Sequence, residues 1–174
     1  AGYPWLVVQS SWTGAKLNLD AENPPYQCAI QGWITRNTAV ELFKTAGITD
    51  YSGKAKSKDF KPIPMGLMAS VGVKNQIKKD VSRNVIGMIE GSERPDEYII
   101  YSAHWDHLAV GDPIDGDSIY NGAHDNASGT TGLLGIAEAF ANLETKPERS
   151  VVFLFVTAEE QGLLGSAYYA QDPI

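Results

Sequence analysis

Apolar positions along this chain fall in short runs, and the runs become longer and more regular after residue 81. In the first part, WLVVQSSW (Trp5–Trp12) and CAIQGWI (Cys28–Ile34) read as strands, separated by a loop that contains Asn23, Pro24 and Pro25. AVELFKTA reads as a helix, with Asn37 or Thr38 able to cap its start and Gly47 placed to close its end. A Lys-rich turn, SGKAKSKD, leads to a further strand expected over Ile63–Val73. In the second part, NVIGMIEG (Asn84–Gly91) and EYIIYSAH (Glu97–His104) read as strands, and the short SERPD connection predicts an antiparallel pair. A polar loop is expected over His107–His124. A helix follows over about Ala127–Leu143, with Leu133, Leu134, Ile136, Ala137 and Phe140 as its apolar face. SVVFLFVTA (Ser150–Ala158) has the unbroken apolar run of a strand buried on both faces, and GLLGSAYYA starts another helix.

Strand, helix, strand implies a parallel crossover, so the pattern predicts an α/β fold with a mixed, largely parallel sheet flanked by helices. Ligands of such sheets collect at the carboxyl ends of the strands. His104 ends one strand, Glu159 and Glu160 follow the other, and Asp125 precedes the helix between them. Connectivity alone therefore directs four metal-binding or acid–base groups to one rim.

Composition and charge sharpen this picture. Of the 174 residues, 43% are hydrophobic and 20% charged, a composition that supports a folded core. No apolar stretch approaches the length of a membrane span. The opening AGYPWLVVQSSW lacks a basic region followed by an apolar one, so no signal peptide is expected in it. The single cysteine, Cys28, has no intrachain partner for a disulfide and is expected to be a small buried residue. A net charge of −7 argues against sequence-blind nucleic-acid binding. The charge is also unevenly spread. Residues 1–81 carry ten Lys+Arg against six Asp+Glu, while residues 82–174 carry four against fifteen and all three histidines, His104, His107 and His124. An acidic segment that gathers every histidine is a place to look for a cation.

The residue types on the rim suit that role. In His104-Trp105-Asp106, alternation puts His104 and Asp106 on one side, where the carboxylate can accept the second imidazole N–H and fix the tautomer for metal binding. Two adjacent carboxylates after a buried strand point in different directions, so one of Glu159 and Glu160 can bind metal while the other takes a proton. Other chemistries find no support. Asp112, Asp115 and Asp117 resemble a calcium loop, but Ile119 occupies the next ligand position and the required glycine is missing. G-x-S-x-G and H-E-x-x-H are both absent. Asn126-Ala127-Ser128 is a formal glycosylation sequon, but beside Asp125 a role in the site is the better expectation.

SAHWDHL, NGAHDNASGT and FVTAEEQGLLGS, in that order and spacing, resemble the co-catalytic dizinc aminopeptidase family, which also includes glutamate carboxypeptidase and transferrin-receptor-like proteins. The three blocks span most of residues 84–170. The resemblance implies that His104 is a ligand of one zinc, that Asp125 bridges two zinc ions and that Glu160 is a ligand of the other. It also implies that Asp106 orients His104 and that Glu159 is the general base. His107 and His124 match no ligand position. The implied activity is hydrolysis of peptide substrates, with removal of an N-terminal residue the leading expectation, by a metal-activated water whose proton Glu159 takes. Histidine ligation favours zinc over magnesium, and manganese or cobalt would suit the same donors. Extracellular or periplasmic location is the family's habit.

Residues 1–80 are similar to the latter part of a β-rich protease-associated insert domain, leaving 81–174 as the first part of the zinc peptidase domain. The family's site takes a further Asp and His from chain beyond the Glu-Glu block, where this sequence holds Asp172 and no His. The sequence is therefore expected to be an internal fragment, inactive alone. Two rivals share the fold: a non-catalytic interaction domain of transferrin-receptor type, and an acyltransferase resembling glutaminyl cyclase. Retention of Glu159 beside the ligand Glu160 argues against the first, because a scaffold has no need of the base.

Overall fold

A computed structural model describes residues 4–11, 14–20, 28 and 30–174. Of these, residues 4–11, 14, 28 and 30–78 form one compact unit and residues 15–20 and 79–174 another.

The described part of the first unit contains three helices: α1 (Trp5–Ser11), α2 (Arg36–Thr45) and α3 (Tyr51–Ala55). Among the described residues three expected strands are not found. Trp5–Ser11 is helical, started by Val7 and Val8 N–H groups that donate to the Pro4 carbonyl. A short apolar run has no periodicity to separate helix from strand, and a proline suits the first turn. Cys28, Ile30–Ile34 and Ile63–Val73 form no ladder, while Trp12 and Ala29 lie outside the described residues. Apolar, β-branched runs become strands only where another strand pairs with them. The β-rich character expected of residues 1–80 is thus absent among the described residues. Helix α2 begins two to three residues earlier than expected, because Thr35 rather than Asn37 or Thr38 caps it, accepting the Thr38 N–H at 3.1 Å. Its end is as expected, with Gly47 at φ +67° just beyond the cap. Phe43 of α2 stacks on Tyr51 of α3 with ring centroids 4.4 Å apart.

The second unit carries the sheet. Its strands β1 (Val85–Ile89), β2 (Arg94–His104) and β5 (Arg149–Val156) lie in the order β1-β5-β2. β2 runs parallel to β5, from Tyr98 opposite Ser150 to His104 opposite Val156, and β1 runs antiparallel to it. The sheet is mixed, as expected, but β1 and β2 do not pair with each other. β5 separates them, because its unbroken apolar run gains most from a central position. Val151 and Val152 are fully buried. Helix α4 (Ser128–Ala141) makes the crossover.

Alternate residues of β5 face opposite layers. Val151 and Phe153 pack with Ala103, Leu133 and Phe140 on the α4 side, while Val152, Leu154 and Val156 pack with Tyr169 of α5 (Leu164–Gln171) on the other. Of the apolar face expected for α4, Leu133, Ala137 and Phe140 reach this core, whereas Leu134 and Ile136 are exposed. Leu133→Ala is therefore expected to cost about 2–5 kcal/mol in denaturant unfolding, and Leu134→Ala within about 0.5 kcal/mol. Equal losses would mean that α4 packs by a different face.

At the amino ends of these strands, buried Ser150 donates to the Pro95 carbonyl at 2.7 Å and accepts the Gly91 N–H at 3.0 Å. Nearby, the Arg94 guanidinium hydrogen-bonded to Glu148 holds that carboxyl below its usual range. The opposite ends of the strands are left for chemistry.

The loop expected over His107–His124 is largely a hairpin, β3 (Ala109–Ile114) with β4 (Asp117–Tyr120), turned by Asp115 and Gly116 at φ +51° and +89°. Asp-Gly is the dipeptide that such a two-residue turn requires. Among the described residues no helix is long and apolar enough to cross a membrane.

Candidate metal centre

The rim forms where β2 and β5 end side by side. His104 is the last residue of β2, and its carbonyl accepts the Thr130 hydroxyl at 3.0 Å, which ties the first turn of α4 to the strand end. Asn126 Oδ1 accepts the Gly129 N–H at 3.0 Å and so caps that helix. Asp125, immediately before it, is carried over His104: imidazole Nε2 and Asp125 Oδ1 are 3.0 Å apart. The Asp125–Asn126 peptide is cis.

The other side of the rim is the turn after β5. Ala158, Gly162 and Leu163 all have positive φ, and the Gly162 and Leu163 N–H groups donate to the Glu159 carbonyl. Asn84, just before β1, pins both ends of this turn: its Oδ1 accepts the Thr157 N–H at 3.1 Å and its amide donates to the Gly165 carbonyl at 2.8 Å. Gly165 is required there, because a Cβ would meet the Thr157 carbonyl and the Asn84 side chain. The adjacent glutamates consequently face different partners. Glu159 Oε2 lies 3.7 Å from His104 Nε2, and Glu160 Oε1 lies 2.7 Å from His107 Nδ1.

His104 Nδ1 sits 2.9 Å from the Asp106 main-chain carbonyl. A carbonyl only accepts, so Nδ1 carries a proton, and Nε2, which faces the Asp125 carboxylate, is the nitrogen that can exchange its proton for a cation. The Asp106 carboxylate, expected to do this work, is 4.0 Å from Nδ1 and instead accepts the Glu159 N–H at 3.1 and 3.3 Å. Burial pulls the pKa of His104 down. That pull is outweighed by the Asp106 carbonyl, the Glu159 charge, the Asp125 hydrogen bond and the Asp106 charge, so the net direction is upward. A cation binding at Nε2 displaces a proton that the surrounding carboxylates favour.

The structure thus brings His104, Asp125, Glu159 and Glu160 to one rim, with Asp106 beneath. It adds His107, which strand alternation cannot place because β2 ends three residues before it. One donor atom each from His107, Asp125 and Glu160 lies within 4.8 Å of the others. His124 is exposed, its carbonyl accepting the Ser128 hydroxyl. Imidazole nitrogens among carboxylate oxygens are the donor set that zinc takes, so the residues present fit that ion.

Residues 84–173, about half of the chain, match peptidase family M28. The chain belongs to that family. The aminopeptidase NAALADL1 of Mus musculus is 36% identical over 113 residues, which are 63% of this chain and 14% of that protein. A probable zinc metalloprotease of Pyricularia oryzae is 37% identical over 101 residues, 58% of this chain and 20% of its own length. A glutamate carboxypeptidase 2 homolog of Caenorhabditis elegans is 36% identical over 62% of this chain and 13% of its own. The M28 chain therefore spans a fifth or less of the length of these relatives. The crystal structure of a peptidase M28 precursor from Shewanella amazonensis is 34% identical, covers 51% of this chain and 18% of its own, and aligns with a TM-score of 0.44.

Proposed function

We propose that the full-length protein carrying this chain is a zinc-dependent peptidase that removes N-terminal residues from peptides. One observation carries the reading: in a chain of family M28, His104, Asp125, Glu159 and Glu160 converge at the carboxyl ends of two parallel strands. Similarity to a protein named as an aminopeptidase supports the N-terminal preference.

His104 and Glu160 would each hold one zinc ion, with Asp125 between them. Bound there, zinc supplies Lewis acidity to water and to the scissile carbonyl. Glu159, with its side chain on the rim, takes the proton of the water as its oxygen attacks the carbonyl carbon. As the C–N bond breaks, Glu159 passes that proton to the departing amine. His104 keeps its Nδ1–H on the Asp106 carbonyl throughout, and the Asp106 carboxylate fixes the main chain of Glu159.

The test is hydrolysis of an aminoacyl chromogenic substrate by the full-length protein. Turnover should disappear on dialysis against a chelator and return with zinc. Turnover that survives complete metal removal would exclude the proposal, and metal-dependent cleavage of only C-terminal residues would overturn the N-terminal preference.

Asp106 supplies a finer expectation. The imidazole bond goes to its main chain, which any residue retains. Asp106→Ala should therefore lower kcat by about 10- to 100-fold, the usual size of an outer-shell effect, while changing zinc affinity little. An equal fall in zinc affinity in chelator competition would show that the carboxylate acts on His104 after all.

A further inference from the structure

The hydrogen bond between His107 and Glu160 has no counterpart in the ligand pattern of the family motifs. His107 Nδ1 and Glu160 Oε1 are 2.7 Å apart, with both side chains mostly buried. Two donors on one zinc ion, each about 2.0–2.2 Å from it, sit roughly 3 Å or more apart in a tetrahedral site. The shorter separation is that of a charge-assisted hydrogen bond, Nδ1–H donating to the carboxylate.

The ring is also held from behind. After the β3–β4 hairpin the chain returns at Gly122, with φ +63°. A Cβ there would lie 2.8 Å from His107 Cβ and Cγ and 3.0 Å from the Asp125 carbonyl. The bare Gly122 backbone thus packs directly on His107 while delivering Asp125 to the rim. The hairpin leaves the rim at one of these residues and comes back at the other, so a single local structure sets both.

We propose that His107 is a positioning residue for Glu160: its Nδ1–H holds Oε1, which would leave the other carboxylate oxygen to bind the ion. This rests on the metallopeptidase reading above and deepens it. Holding one oxygen removes a rotational freedom that Glu160 would otherwise lose on binding the ion.

The experiment uses the full-length protein, stripped of metal and titrated with Co(II), as wild type, His107→Ala and His107→Asn. The asparagine amide can donate from near the place of Nδ1. In His107→Ala, one of the two cobalt ions should bind about 10- to 100-fold more weakly, with a changed visible spectrum. The other ion and the thermal midpoint of the metal-free protein should be unchanged. His107→Asn should recover most of the affinity. Unaltered cobalt binding in His107→Ala would overturn the proposal. So would complete loss of one ion in both variants, which would make His107 a ligand, and so would weakened binding that merely follows a lowered midpoint. A wild-type protein that takes up no cobalt would instead remove the metallopeptidase reading, and this proposal with it.

Discussion

Glu159→Gln is expected to lower kcat of the full-length protein by about 10²- to 10⁴-fold, the contribution of a positioned general base, while zinc content stays at the wild-type level. The amide is nearly isosteric with the carboxylate but accepts no proton at neutral pH. The turn that carries it is held through main-chain groups: the Glu159 N–H on Asp106 and the Glu159 carbonyl under Gly162 and Leu163. Neither contact involves the substituted atoms, so the rim should keep its shape. KM should change far less than kcat, because the base acts only as the proton moves. Steady-state kinetics beside elemental analysis decide the matter. A variant with near wild-type kcat would remove Glu159 from the reaction, and one that lost zinc would make it a ligand.

Glu160→Ala should behave differently although the residue is adjacent in sequence. Its carboxylate would be a metal donor beside Asp125, with His107 holding one of its oxygens, and truncation takes away a donor where few are available. Catalytic zinc sites usually retain three protein ligands, so losing one should release an ion and bring activity to background. Loss of metal should also lower the thermal midpoint of the holo-protein, since binding to the folded state alone stabilises it. Added zinc at high concentration should recover part of the metal and little of the rate.

The contrast between neighbouring residues reflects what could be read from sequence. β5 announces itself by an apolar run too long for a half-exposed strand, and α4 by its periodicity. From β2, α4 and β5 the parallel crossover follows, and with it the placement of His104, Asp125, Glu159 and Glu160 on one rim. Pairing was less accessible. SERPD is short enough for a hairpin, yet β1 and β2 each pair with β5, because burying both faces of that strand outweighs local closure. Among the described residues of 5–34 the apolar runs carry no periodicity and join no ladder, so the expected strands are not seen there. The β3–β4 hairpin had a signal, Asp115-Gly116 between Ile114 and Ile119, which its acidic surroundings obscured. His107 and Asn84 had none, since each acts through a turn whose course depends on distant segments. Alternation puts Asp106 on the side of His104, but its carboxylate turns to the Glu159 main chain, because the His104 N–H has a nearer acceptor in the Asp106 carbonyl.

The most direct test is zinc content by elemental analysis, after dialysis, of the full-length wild type, Glu159→Gln and Glu160→Ala prepared side by side. Two zinc ions per chain in the first two proteins, and fewer in Glu160→Ala, is the expected result. Absence of zinc from the wild type, or the same zinc content in all three, would contradict the assignment of this rim as a zinc site with Glu159 as its base and Glu160 as its ligand.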